Sequence, residues 1–139
     1  MSPRREQRTA TCGHVEAASR LEQARKFLEV AELLEPVDTP AEGNVAGSLA
    51  VLAGIAAADA ACCAALGRRS RGQDHKAALD LVRQIEPAGR EAAKKLDQLL
   101  DIKDAAQYGV ISLSGSSLKT ALRSASYLVE FATGVVRRG

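Results

Sequence analysis

Tryptophan is absent from this 139-residue chain, and only 3% of the sequence is aromatic. A core without large rings must be filled by Ala, Leu, Val and Ile, which suits closely packed helices better than a sheet. A strong excess of one charge is also missing. The formal net charge is +2, too small by itself to imply nucleic-acid binding. The three cysteines, two of them adjacent as Cys62 and Cys63, form no pattern for a disulfide framework or a zinc cage. They are expected as small, reduced core residues. There is no metal-ligand spacing and no glycine-rich phosphate loop, so neither a metal nor another cofactor is expected. The first residues, MSPRREQRTATCGHVE, carry bases but no apolar segment or small-residue cleavage site. That excludes a secretory signal and makes the cytoplasm the expected location.

What is present points to one domain. Hydrophobic residues make up 46% of the chain and no long low-complexity run interrupts them, which fits a single core over 13–139 behind a mobile basic tail at 1–12. The stretch that organises the rest is NVAGSLAVLAGIAAADAACCAAL, Asn44 to Leu66, in which Asp59 is the only charged side chain. Helical spacing phases Asp59 with Val45, Leu49, Leu52 and Leu66, a stripe expected to be buried, and a buried acid needs a partner. The stretch is long enough to raise the question of a membrane span. About half of it is Ala or Gly, however, and an internal Asp opposes insertion by up to ~3 kcal/mol. A buried helix of a soluble bundle is the expectation, with no membrane.

Taken in order, the chain offers five helices. Ala17, Leu21, Ala24, Leu28 and Ala31 give the first an apolar stripe from His14 to near Glu35. Thr39, Pro40 and Glu42 then spell a capping box with proline at the first helical position. The second helix therefore starts at Pro40, and Gly67 is its natural stop. Asp74 is placed to cap a third helix with His75, Ala78, Leu79, Val82 and Ile85 on one stripe, and Pro87 ends or kinks it. A fourth helix from about Pro87 to Gln107 buries Ala92, Leu96, Leu99, Leu100 and Ala106, with Glu91 and Lys95 spaced as an exposed ion pair and Lys103 on the buried side. After Gly109, Ser114 caps a fifth helix, whose stripe from Leu118 to Val136 is the cleanest in the chain. The expected fold is all-α, an up-and-down bundle of four to five helices with no sheet.

In a strict up-and-down order, the end of the second helix, the start of the third, the end of the fourth and the start of the fifth share one pole. Asp59, Arg71, His75, Lys103 and Tyr108 would all belong there. A polar network is expected, with Asp59 paired to Lys103, Arg71 or His75. Arg68, Arg69 and Arg71 sit in the adjoining loop, which serves either as a solvated basic surface or as a phosphate site. His75 is the one candidate general acid or base. Gly47 and Gly54 on the second helix would let helices approach closely, in keeping with a homodimer.

The segments LAGIAAADAACCAALG, SRGQDHKAALDLV and LLDIKDAAQYG, followed by an Ala- and Leu-rich last helix, resemble the HEPN superfamily of helical bundles over about Asn44 to Val136. The resemblance implies a dimeric module that binds a nucleotide or RNA phosphate, in some members a ribonuclease toxin paired with a nucleotidyltransferase antitoxin. Ribonuclease members carry an Arg and a His four to six residues apart on a late helix, where this chain has Lys103 and Tyr108. A ribonuclease here would have to use His75. A structural or partner-binding bundle without catalysis is the remaining expectation.

Overall fold

The computed structural model describes residues 9–71, 75–108 and 113–138, with 104–108 described by their backbone alone. Its elements are β1 (Thr9–Thr11), α1 (His14–Leu33), α2 (Pro40–Leu66), β2 (Arg68–Ser70), α3 (His75–Arg83), α4 (Gly89–Tyr108) and α5 (Gly115–Arg138). This is the expected all-α bundle, with one small addition. Of the expected tail, Thr9–Thr11 form a strand and residues 1–8 lie outside the described residues, and part of the basic loop is a strand. Thr9, Ala10 and Thr11 pair antiparallel with Ser70, Arg69 and Arg68.

The local signals explain most boundaries. Thr39 Oγ1 accepts from the Glu42 amide at 3.2 Å while Glu42 Oε1 accepts from the Thr39 amide at 3.1 Å, so the capping box forms as written. Gly67 ends α2 at φ 72°, a left-handed conformation that glycine adopts without steric cost. Ser114 Oγ accepts from the Ser117 amide at 3.1 Å and caps α5. Asp74 and Gly109 lie outside the described residues. The expected Glu91 to Lys95 pair is replaced by another contact, since Lys95 Nζ lies over the Tyr127 ring, 5.7 Å from its centroid.

Packing departs from the sequence pattern in α2. Its buried face consists almost wholly of Ala, Gly and Cys, whereas Val45 and Leu52 are 52% and 37% exposed. The stripe shared by Asp59, Val45 and Leu52 therefore exists, but it points outward between α1 and α4. The physical reason is approach distance. Small side chains let a neighbouring helix come closer than Val or Leu would, so the alanine face takes α1, α4 and α5. Gly54 shows how close. A Cβ placed there would collide with Leu99 and stand 3.2 Å from Leu128 Cδ1. Gly47 and Gly54 are both buried inside the subunit, so they are not a surface through which a second copy could dock. By length and a mean hydropathy of 2.1, α2 could cross a membrane, yet 61% of that apolar window is buried in the bundle.

Chain direction also differs from strict alternation. The Leu113 amide donates to Asn44 Oδ1 at 3.2 Å, Gly54 meets Leu128, and Val136 packs on the cluster of Cys12, Ala17 and Cys63. Helix α5 therefore runs parallel to α2. The end of α4 and the start of α5 lie at the pole where α2 begins, opposite to the expected one. The short α3 is the cause. It belongs to the connection between α2 and α4 rather than counting as a full traverse of the bundle.

The expected reduced cysteines are corrected as well. Cys12 and Cys63 are joined by a disulfide across 51 residues, while Cys62 is a buried free thiol. Their distance in sequence hid a pairing that the α1–α2 hairpin creates. Disulfides persist chiefly in oxidising compartments, which sets this bond against the cytoplasmic expectation.

Two outcomes follow. Cross-linking across 51 residues is worth up to about 4 kcal/mol in chain entropy, so reduction should lower the melting temperature by several degrees with the helical circular-dichroism signal retained below it. Gly54→Ala gains helix propensity of about 1 kcal/mol but overpacks Leu99 and Leu128 by about 1–3 kcal/mol. Its urea midpoint should fall, and a higher midpoint would contradict the packing described.

Candidate anion-binding site

Because α1 and α2 form an antiparallel hairpin turning near Thr39, Arg20 and Asp59 stand at nearly equal distances from the turn and meet across the pair. Arg20 Nη2 and Nε donate to Asp59 Oδ2 at 2.8 and 3.2 Å, and Arg20 Nη1 donates to Gln23 Oε1 at 2.6 Å. The side chains are 31% and 13% exposed. Asp59 is thus partly buried as expected, but its bonded partner is Arg20 rather than Lys103, Arg71 or His75. The hairpin registry was the signal available in the sequence. Arg20 sits beside the Ala17, Leu21 and Ala24 stripe, on the edge of α1 that faces Asp59.

Burial is the dominant influence on this carboxyl. It pushes the Asp59 pKa above the ordinary 3.8, and the hydrogen bond and charge of Arg20, then the charge of Arg69, pull it back only in part. Cys62 shares the setting. Burial first, and the Asp59 charge second, push its thiol up to about 12, which leaves it protonated and unreactive at neutral pH.

Beside the ion pair lies a half-enclosed cavity of about 220 Å³. Arg20 contributes from α1, and Ile55, Ala58 and Asp59 from α2. Arg69 and Ser70 come from β2, His75 and Ala78 from α3, and Leu96, Leu100 and Lys103 from α4. The ribbon places Arg69. Its pairing with Ala10 and the bond from the Cys12 amide to the Gly67 carbonyl at 3.0 Å fix β2 against the top of α2. Arg69 Nη1 also donates to the Ser70 carbonyl at 3.2 Å.

Across the cavity, Lys103 Nζ lies 3.4 Å from His75 Nε2. An ammonium can only donate, so a hydrogen bond between the two uses Nε2 as the acceptor. No carboxylate pairs with Lys103 among the described residues. Three basic side chains, Arg20, Arg69 and Lys103, therefore face a single carboxyl group among the described lining residues. Such a surplus in a partly desolvated space favours an incoming anion.

Of the expected site residues, the structure brings together Asp59, His75, Lys103 and Arg69. Arg68 and Arg71 are exposed and do not line the cavity. The Tyr108 side chain lies outside the described residues. No group of three or more potential metal ligands occurs among the described residues.

The raised Asp59 pKa sets a pH dependence. Below 3.8 the carboxyl is neutral in both states and its burial costs no charge desolvation. As pH rises through the higher folded value, the buried charge forms and that stability is lost. Asp59→Asn, which keeps the shape and an acceptor for Arg20, should equal or exceed the wild-type melting temperature at pH 7. The difference should shrink as pH falls toward 3.8. A wild type that gains on the Asn variant with rising pH would contradict this account.

Comparison of the chain with protein-family models and with curated proteins finds no match. The chemistry of the site is therefore carried by its own residues.

Proposed function

We propose that this bundle is a binding module for a small phosphate-bearing anion, held in the cavity between α2, β2, α3 and α4. The observation that carries the proposal is Lys103. It is a half-buried ammonium facing His75 and Arg69 across the cavity, with no carboxylate partner among the described residues. Arg20 is engaged by Asp59, so it sets the rim and leaves Arg69, His75 and Lys103 to receive the ligand. The nucleotide or RNA phosphate implied by the HEPN resemblance would present the same group to these cations. In a toxin–antitoxin setting the cavity would act as a recognition element.

Ribonuclease chemistry through His75 would need its ring to exchange a proton with the reacting oxygens, and Nε2 instead faces Lys103 Nζ at 3.4 Å. Asp59 does not serve His75, since its carboxylate is bonded to Arg20. Binding without turnover is the function this geometry favours.

Isothermal titration with inorganic phosphate tests the proposal. One charge-assisted hydrogen bond is worth ~1.5–3 kcal/mol, so Lys103→Met and Arg69→Ala should each weaken binding about tenfold or more, while Arg71→Ala changes it little. Binding should also weaken as salt rises. Absence of phosphate binding at millimolar concentration, or equal affinity in all three variants, would overturn it.

A further inference from the structure

Beyond its cations, the cavity has a second chemical character. The rest of its wall is aliphatic: Ile55 and Ala58 from α2, Ala78 from α3, and Leu96 and Leu100 from α4. Among the described residues its one aromatic ring is the imidazole of His75, whose Nε2 faces Lys103. Recognition of a nucleobase characteristically relies on stacking against aromatic or guanidinium planes together with hydrogen bonds to the base edge. Here Arg20 is held by Asp59 and Gln23. An aliphatic wall instead rewards removal of methylene groups from water.

Size agrees with a short chain. At ~30 Å³ per water, a cavity of about 220 Å³ holds roughly seven waters, and a methylene is of similar size. The polar end also has a way out. Arg20, Asp59 and Arg69 line both this cavity and an adjoining, more open depression of about 500 Å³ that reaches Val15, Ser19 and Gln23. A ligand can thus keep a polar extension in water while its chain is enclosed.

We infer that the ligand is an amphipathic anion, a short aliphatic chain of about six carbons with a phosphate head, rather than a nucleotide. The chain lies on Ile55 and Leu100, and the head meets Lys103 and His75. This rests on the anion-binding function proposed above, and the experiment separates the two.

The test compares inorganic phosphate, hexyl phosphate and adenosine monophosphate by isothermal titration on the intact protein. Each buried methylene multiplies affinity about fourfold, so three well-buried methylenes should make hexyl phosphate bind on the order of fiftyfold more tightly than phosphate. Ala78→Leu, a helix-compatible change at a half-buried position, fills the aliphatic end. It should abolish most of that advantage, with circular dichroism confirming the fold. Failure of both phosphate and hexyl phosphate to bind would overturn the anion site itself. Phosphate binding with no hexyl advantage, an advantage unchanged in Ala78→Leu, or adenosine monophosphate binding more tightly than hexyl phosphate would overturn the aliphatic ligand alone.

Discussion

Close approach to the small-residue face of α2 is the constraint on which the rest of this structure depends. With Ala at 46, 50, 53, 56, 57, 60 and 61 and Gly at 54 turned inward, neighbouring helices can lie nearer than their usual separation. The larger side chains of the core come from the partners. Leu96 and Leu99 on α4 and Leu128 on α5 are among its largest fully buried side chains, and Leu99 and Leu128 close directly over Gly54. Such packing is intolerant of added volume, because an interior at crystal-like density has nowhere to move an extra methyl group.

The same constraint produces the site. Once α1, α4 and α5 pack on the small-residue face, Val45 and Leu52 are left exposed and Asp59 is left at the edge between α1 and α4. Asp59 is then too buried to be hydrated fully, which raises its pKa. Arg20 crosses the hairpin to it, and the fixed guanidinium closes one side of a cavity whose other side holds Lys103 and His75. The disulfide matters to this arrangement. By joining Cys12 to Cys63 it secures the short strand that pairs with β2, and β2 carries Arg69 to the cavity.

The bond also changes how the cysteine pair should be understood. Cys62 and Cys63 are adjacent on one helix, so they point in directions about 100° apart. Only Cys63 faces Cys12. Its neighbour is sealed in the core with its thiol pKa driven upward by burial and by Asp59, which makes the two sulfurs chemically unlike despite their adjacency.

The sequence by itself determined the helices and their ends, because capping chemistry and apolar periodicity act within a few residues. Thr39 with Glu42, Gly67 and Ser114 all perform the roles their positions imply. It also pointed to a polar region of Asp59, Arg71, His75, Lys103 and Tyr108 beside a loop of Arg68, Arg69 and Arg71, of which Asp59, His75, Lys103 and Arg69 share the cavity while Arg68 and Arg71 do not. Which face of α2 is buried, the direction of α5, the Cys12–Cys63 bond and the choice of Arg20 for Asp59 were decided only by tertiary structure. Each depends on contacts between residues far apart in the chain. In an alanine-rich helix the hydrophobic pattern is nearly the same all round, so it is the distance at which neighbours can pack, rather than hydrophobicity alone, that selects the buried face and thereby assembles the site.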